Sequence, residues 1–175
     1  MPAPPRPIVA EEARIRRRSR LRDRESAELL EGLSAALGGA TLWDEKAAVE
    51  TAEFQDLQVL VVQNEVVGLF EGGSPFLTLR GLLRFRPPGR AVTVDMGAVR
   101  FVANGADVMA PGIVEADPAL QEGSWCWVRD ERNRQPLAVG RALVPAAAMV
   151  RGRGKAVRSV HHIGDRLWVG TQDEA

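Results

Sequence analysis

The sequence has few of the residues that form disulfides and metal sites. Cys126 is the only cysteine in 175 residues, which excludes an internal disulfide and a cysteine-based zinc site. The only histidines are His161 and His162, and adjacent residues of a strand point to opposite faces. A shared metal ion is therefore not expected, and we predict neither a metal nor another cofactor.

Long apolar segments are also missing. No apolar run approaches the roughly 18 residues that a membrane span needs. The proline-rich first seven residues lack the apolar stretch of a signal peptide, and none of the asparagines begins an Asn-x-Ser/Thr glycosylation signal. Hydrophobic residues make up 45% of the chain, which is typical of a globular protein. We expect a cytoplasmic protein with no membrane partner.

The short motifs of common enzymes do not occur. The segment Gly152–Lys155 superficially resembles a phosphate-binding loop, but Met149 stands where that motif needs glycine and Ala156 where it needs serine or threonine. A flexible turn is the simpler interpretation. No Gly-x-Ser-x-Gly elbow marks a nucleophilic serine. We predict no catalytic residues.

Aromatic residues are scarce, at 5% of the chain, and tyrosine is absent. Tryptophan side chains can stack on nucleic-acid bases or fill a hydrophobic core, and at this low aromatic content we favour the core. The four tryptophans are Trp43, Trp125, Trp127 and Trp168.

Charged residues are abundant and segregated along the chain, although 23 basic and 23 acidic residues cancel. Eight arginines face three acids in residues 1–24, five face one acid in 80–106, and six basic residues face one acid in 136–168. In contrast, residues 25–79 hold ten acids and a single lysine. Most of the basic residues are arginine, whose guanidinium binds phosphate in a bidentate manner. The distribution thus favours nucleic acid as a partner, whereas the net charge does not.

The first basic segment has an alternating pattern. In an extended strand, arginine at every second position would place these side chains on one face, about 6.7 Å apart. Such a face could follow a nucleic-acid backbone, or it could be neutralised by the acids of residues 25–79. Both interpretations stay open at this point. The alternating residues are Arg14, Arg16, Arg18, Arg20 and Arg22.

Periodicity predicts the elements of the first half. Leucines at three- and four-residue spacing predict an amphipathic helix from Asp23 to the stop at Gly38-Gly39. Aliphatic runs on both sides of Gln63-Asn64-Glu65 predict a hairpin over residues 55–70. We expect a loop over residues 72–75 and a short helix over 76–85.

The second half shows short strands with frequent turns, after a break at Pro87-Pro88-Gly89. The pattern predicts a short helix over residues 97–104 and a last hairpin turn at Gly164-Asp165. Six short strands in about eighty residues are typical of a small barrel or sandwich. We predict these strands over residues 91–95, 113–115, 124–128, 137–142, 156–162 and 166–169.

Five segments of the second half resemble a PUA domain, the module named for pseudouridine synthases and archaeosine transglycosylases. Residues 94–102 and 105–113, which include the string Gly-Ala-x-Val-Met-x-Pro-Gly, resemble the opening of that domain. Residues 137–140, 154–157 and 162–168 resemble its later strands in the same order.

The first half is similar to a pre-PUA domain. Residues 64–71 and 75–80 resemble this domain in small two-domain translation proteins of the malignant-T-cell-amplified type and their archaeal relatives. The implied fold class is α+β. We expect a small α+β pre-PUA domain at residues 1–87, with a basic N-terminal strand, a helix, a hairpin and a short helix. A mainly-β PUA pseudobarrel with short helices would follow at residues 88–175.

The resemblance implies a groove beside the first PUA helix that binds structured RNA. Glycines would allow close approach of the backbone, although turn geometry alone also explains Gly105 and Gly112. Ala110 stands where many relatives have a basic residue, so a phosphate contact is not expected there. The residues implied for RNA binding are Gly105, Ala106, Asp107, Met109, Pro111, Gly112, Arg151, Arg153, Lys155 and Arg158. A possible second RNA surface comprises Arg14, Arg16, Arg18, Arg20, Arg22, Arg80 and Arg84.

The expected function is that of a non-catalytic RNA-binding protein of translation, which binds tRNA or rRNA on the small ribosomal subunit. Because the resemblance covers nearly the whole chain, it leaves no room for the catalytic domain of a synthase or transglycosylase. Two alternatives stay open. The protein could be an interaction adaptor that pairs with an initiation-factor-like partner, or an accessory RNA-binding subunit of an RNA-modifying enzyme.

Overall fold

Two β-sheets, one from each half of the chain, form the framework of the protein. The structure is a computed structural model and describes residues 14–171; the proline-rich start, with Arg6, lies outside this range. None of the helices in the described part is long and apolar enough to cross a membrane. The mixed α+β class predicted from the sequence is confirmed.

The first sheet is a five-stranded antiparallel meander with the strand order β1-β2-β3-β4-β5. The predicted hairpin is confirmed as β3 and β4, with Gln63 and Asn64 at positive φ in its two-residue turn. The elements of this half are β1 Ile15–Arg20, α1 Asp23–Ala36, β2 Val49–Phe54, β3 Leu57–Val62, β4 Glu65–Glu71, β5 Ser74–Leu77 and α2 Leu79–Phe85.

The second sheet has six strands in the order β7-β11-β10-β9-β6-β8. Strands β6 and β9 are parallel, and the other neighbours are antiparallel. Short 3-10 turns occupy Ala110–Gly112 and Ala146–Ala148. The elements of this half are β6 Ala91–Val94, α3 Met96–Ala103, β7 Val108–Met109, β8 Ile113–Ala116, β9 Trp125–Asp130, β10 Pro136–Ala142, β11 Lys155–His162 and α4 Arg166–Gly170.

The predicted single face of arginines in β1 is wrong because a β-bulge interrupts the strand. Arg16 pairs with Glu53, whereas Ser19 pairs with Thr51, so β1 has one extra residue between these pairs. Arg17 adopts φ +53° there. Beyond the bulge Arg20 lies opposite Glu50, and Glu50 and Glu53 are three residues apart on a regular strand. Arg16 and Arg20 therefore lie on opposite faces of the sheet.

Other predictions of local structure are also wrong. The segment 166–169 is the helix α4, not a strand, because the Asp165 carboxylate accepts a hydrogen bond from the Trp168 amide at 2.8 Å and caps the helix. The Gly164-Asp165 turn thus begins a helix. Ser74–Leu77 forms β5, and α2 begins only after Thr78, whose hydroxyl accepts a hydrogen bond from the Gly81 amide. Strands β2 and β7 were not predicted.

The hydrophobic core of the first sheet continues into the second half of the chain. Leu37, Phe54 and Leu69 are fully buried in one cluster that also contains Trp125 and Trp127 of β9. The core interpretation of the tryptophans is confirmed for Trp43, Trp125 and Trp127, each less than 10% exposed. Trp168 is half-buried against the same cluster, with the Arg80 guanidinium 4.5 Å above its ring.

A carboxylate of the first sheet holds two arginines of the second. One Glu71 oxygen, at the end of β4, accepts a hydrogen bond from Arg141 Nε at 2.9 Å, and the other accepts one from Arg158. Arg141 also donates to the Glu71 carbonyl and lies 3.9 Å above the Trp125 ring. The Trp125 indole donates to Ser74 Oγ at 3.1 Å. Charge-assisted and aromatic contacts thus fix β4 against β10 and β11.

The ionisation of Glu71 depends on this arrangement. Partial burial raises the pKa of its carboxyl, but hydrogen bonds and charge attraction from Arg141 and Arg158 outweigh burial and lower the pKa below its usual value of 4.5. A carboxyl with a lowered pKa in the folded state stabilises the protein above its unfolded-state pKa. That contribution is lost as the pH falls through the folded-state pKa.

Replacing Glu71 with Gln is expected to lower the free energy of unfolding by about 2 kcal/mol at pH 7, because the charge-assisted hydrogen bonds are weakened. Urea unfolding at several pH values measures this difference. The gap between Glu71→Gln and wild type should narrow as the pH falls through the lowered folded-state pKa, where wild-type Glu71 also becomes neutral. The control, Glu28→Gln, removes an exposed pair with Arg24 and should cost under about 0.5 kcal/mol. A difference in unfolding free energy that does not change with pH would contradict the stabilising role of the Glu71 carboxylate.

Candidate nucleic-acid interface

The short strand β7 brings two predicted segments together. It pairs with β11 so that Met109 lies opposite Lys155, and the Ala110 amide donates to the Gly154 carbonyl at 2.8 Å. The segment 105–112 therefore lies beside residues 151–155. The Met109 side chain is 48% exposed, unusual for methionine, and Ala106 and Pro111 are exposed beside it. We call Ala106, Met109 and Pro111 the apolar strip; cationic side chains of residues 151–155 lie next to it.

Arg151 ties this strip to α3. Its guanidinium donates to the Asp95 carboxylate at 2.8 Å and to the Pro111 carbonyl at 2.7 Å. Asp95 also caps α3 by accepting from the Ala98 amide, and its own amide donates to the Gly112 carbonyl. Arg151 therefore fixes the position of the 110–112 turn, while its side chain stays 57% exposed.

Lys155 is held by Asp107 without being buried. The ammonium donates to Asp107 Oδ2 at 3.2 Å, and the Ser159 amide donates to Asp107 Oδ1 at 3.0 Å. The Ser159 hydrogen bond lowers the pKa of Asp107, burial opposes this effect, and Lys155 lowers the pKa further. Lys155 remains 62% exposed, so an incoming phosphate can reach it. Arg153 is exposed and has no ionic partner within residues 14–171.

The two glycines of the predicted groove differ in their structural roles. Gly105 has φ +93°, and a Cβ there would lie 2.6 Å from His162 Nε2. The His162 imidazole is fixed by donating to backbone carbonyls, including that of Ala103 at 3.1 Å. Gly112 has no positive φ, and a Cβ there would meet only the Ala98 methyl group, at 3.1 Å. Close packing thus explains why position 105 needs glycine, whereas position 112 has room for a small side chain after a slight shift.

Ala110 is fully buried, and Arg158 is engaged by Glu71. Arg158 is bound to Glu71 at the junction between the sheets, although its side chain remains 47% exposed. Arg158 also contributes, beside Lys155, to lowering the pKa of Asp107, although its hydrogen bond goes to Glu71.

The arginines of β1 are largely balanced by acids of β2. Arg17 forms an ion pair with Glu53 at 3.3 Å, and Arg18 with Glu50. Arg18 also donates to the Asn64 side chain at 2.8 Å. For this part of the strand, the structure agrees with the neutralised alternative. Arg20 lies 4.0 Å from Asp23, while Arg22 is exposed at the start of α1.

Arg80 and Arg84, on α2, are engaged in contacts within the fold. Arg80 donates to the Thr171 hydroxyl at 3.3 Å in addition to covering Trp168. Arg84 forms an ion pair with Glu65 at 2.7 Å. These arginines hold α2 against α4 and β4, so the predicted second surface does not form as one patch.

Three features of the structure were not identified from the sequence. Asp95 before α3 has the signal of a helix cap, which could have been recognised. The Glu71 contacts join residues 70 and 87 positions apart, which no local pattern reveals. Phe101 on α3 is 54% exposed beneath the Arg100 guanidinium, 4.8 Å from its ring. No cluster of three or more metal-ligating side chains occurs among residues 14–171.

Comparison with known proteins agrees with this architecture. A family model for the PUA domain matches residues 90–164, which include the apolar strip and both flanking segments. The structure resembles the crystal structure of a hypothetical protein from Pyrococcus horikoshii OT3, with a TM-score of 0.79 and 32% identity. That similarity covers 89% of this chain and 99% of the other. The chain is therefore a PUA-domain protein.

The relatives define its family more narrowly. An uncharacterised protein of Methanocaldococcus jannaschii is 39% identical over 124 residues, 70% of this chain and 76% of its own length. Translation machinery-associated protein 20 of Saccharomyces cerevisiae is 27% identical over 70% of this chain and 72% of its own. Malignant T-cell-amplified sequence 2 of Mus musculus is 28% identical over 65% of this chain and 66% of its own length. The chain belongs to the family of these proteins, as its sequence predicted.

A shorter match joins the chain to a larger protein. Eukaryotic translation initiation factor 2D of Rattus norvegicus is 36% identical over 72 residues. This segment is 38% of the present chain but only 13% of the initiation factor. The related unit therefore also occurs within a much longer polypeptide.

The different environments of the two glycines predict different costs of substitution. Gly105→Ala should lower the free energy of unfolding by about 2 kcal/mol, because it combines a positive φ with a clash against His162. Gly112→Ala should cost less than about 1 kcal/mol, because only a small shift of a methyl contact is needed. Urea unfolding of both variants measures the difference. Equal costs would contradict the assignment of Gly105 to close packing.

Proposed function

We propose that the chain is a non-catalytic RNA-binding protein of translation, and that it binds tRNA or rRNA on the small ribosomal subunit through its PUA domain at residues 88–175. The observation that supports this proposal is that exposed Met109 lies beside the accessible cations of Lys155 and Arg153. Residues 1–87 form the pre-PUA domain in this proposal.

The chemistry of the strip suits an RNA backbone with unpaired bases. Ammonium and guanidinium groups bind phosphate oxygens, and apolar surfaces at Met109 and Pro111 can pack against the faces of bases. The Lys155–Asp107 pair is more than half exposed on the lysine side, so its net contribution to stability is small. Exchanging Asp107 for a phosphate partner therefore costs little.

The rigidity of the frame supports selective binding. Arg151, Asp95 and the 110–112 turn are joined by hydrogen bonds of 2.7 to 2.9 Å, and Gly105 is packed against His162. A surface that is ordered before binding loses little conformational entropy when RNA binds. In this proposal Arg151 orders the loop, while Arg153 and Lys155 contact phosphate.

Replacing Arg153 and Lys155 together with Ala should weaken binding of a tRNA transcript and flatten its salt dependence. Loss of two phosphate contacts reduces the slope of log affinity against log salt by about 1.5. Fluorescence anisotropy over a range of KCl concentrations measures this slope. Neither side chain is buried, so the double variant should retain its fold.

The matched control is Arg24→Ala with Arg132→Ala, which removes two exposed arginines elsewhere and gives the same change in net charge. Its slope should stay near that of wild type. If the control and the Arg153/Lys155 variant lose affinity equally, net charge alone governs binding and the proposed surface is wrong. Crosslinking with sequencing of the bound RNA then tests the target, and small-subunit rRNA or tRNA is expected.

A second candidate function is that of an adaptor that pairs with an initiation-factor-like protein. The observation that favours it is the match to initiation factor 2D, in which a related segment is a small part of a long chain. A separate polypeptide with this segment could associate with a partner that supplies the remaining parts.

Affinity purification after nuclease treatment separates the two candidates. An adaptor should retain one partner in stoichiometric amount, and the Arg153/Lys155 variant should retain it equally. Loss of all associated protein on nuclease treatment would leave RNA binding as the function.

A further inference from the structure

A cationic cleft lies outside the apolar strip, where β1 and β2 approach α4. It encloses about 480 Å³ and is lined by four arginines and two acids, namely Arg14, Arg16, Arg17, Arg166, Glu53 and Asp56. The sequence did not reveal this group, because Arg166 is some 150 positions from Arg14 along the chain.

Packing of α4 on β2 brings these arginines together. A Cβ on Gly170 would lie 2.5 Å from the Phe54 ring, so only glycine permits α4 to approach so closely. Phe54 pairs with Ile15 of β1, and Arg166 begins the helix that ends at Gly170. The contact therefore places the start of α4 beside the start of β1.

The charge of the cleft is not balanced internally. Four arginines and two carboxylates leave a net charge of +2, and Glu53 is already paired with Arg17 at 3.3 Å. Arg14 and Arg166 are exposed, and neither has a carboxylate partner within residues 14–171. Guanidinium groups that converge on a water-filled cleft favour a phosphate group over a single carboxylate, because each can donate two parallel hydrogen bonds.

We propose that this cleft binds a backbone phosphate of RNA, as a second contact site separate from the apolar strip. The proposal rests on the proposed RNA-binding function and adds to it a specific anion site. Strand β11 begins at Lys155, and α4 begins four residues after β11 ends, so the two sites lie at opposite ends of β11. An eight-residue strand separates them by roughly 25 Å. One RNA strand of several nucleotides can span that distance.

The test compares three double variants of the full chain, Arg14→Ala with Arg166→Ala, Arg153→Ala with Lys155→Ala, and the control Arg24→Ala with Arg132→Ala. The probe is a fluorescein-labelled 20-residue oligouridylate, with affinity measured by anisotropy from low to high KCl. Loss of two contacts to a single strand should lower the salt slope by about 1.4 and weaken binding about 25-fold near 0.1 M salt.

The outcomes separate this inference from the proposed function. A reduced slope for the Arg14/Arg166 variant relative to the control supports the cleft. If that slope matches the control while Arg153/Lys155 lowers it, the cleft proposal fails and the RNA-binding function stands. If only the Arg14/Arg166 variant loses affinity, RNA does not bind at the apolar strip, and the proposal for the cleft stands. Thermal unfolding confirms that each variant folds.

A second measurement does not depend on variants. Phenylglyoxal modifies exposed arginines, and mass spectrometry of the digested wild-type chain reports the modification of Arg14 and Arg166. The oligouridylate should protect both arginines, with Arg132 unprotected as the reference. Equal protection by polyglutamate at the same charge concentration would assign the cleft to acidic protein segments and overturn the RNA proposal.

Discussion

The position of Glu71 between Arg141 and Arg158 is the constraint on which the placement of the two sheets depends. A carboxylate at the end of β4 and two guanidinium groups on β10 and β11 are partly withdrawn from water. Such groups are costly to leave without partners. The arrangement of the sheets in the structure satisfies all three. The stacking of Arg141 on Trp125, and of Trp125 on Phe76 at 5.3 Å, reinforces that arrangement with apolar burial.

Strand β11 connects the Glu71 contacts to two cationic sites, the apolar strip with Lys155 and the cleft lined by Arg14 and Arg166. Arg158 fixes the middle of the strand to the first sheet, and the Ser159 amide holds Asp107 from the loop after α3. At one end β7 pairs with Lys155, and at the other end His162 packs on Gly105 before the chain enters α4. The apolar strip and the cationic cleft are thus positioned by a single strand, although they lie at its opposite ends.

Local patterns in the sequence predicted the features that depend on neighbouring residues. The leucine spacing of α1, the Gln63-Asn64 turn and the strands around the PUA-like string all follow from such patterns. The bulge at Arg17 does not, because its register is set by pairing with β2, about 35 residues away. For α4, the short apolar run 167–169 was compatible with a strand, and the capping by Asp165 decided the outcome. The residues of the apolar strip were predicted only through the resemblance, and the cleft depends on the contact between Gly170 and Phe54.

The distribution of ion pairs explains why segment charges were an incomplete guide to binding. The acidic segment 25–79 first suggests an acidic surface, but five of its ten acids form ion pairs within the fold, one of them Glu28 with Arg24 on α1. Glu50 and Glu53 pair with arginines of β1, Glu65 with Arg84, and Glu71 with Arg141 and Arg158. A paired arginine offers a weak electrostatic field to an RNA, because its carboxylate partner must be displaced. In the proposed function, accessible arginines without such a partner are the ones offered to phosphate, and Arg153, Arg14 and Arg166 are among them in the described part of the chain.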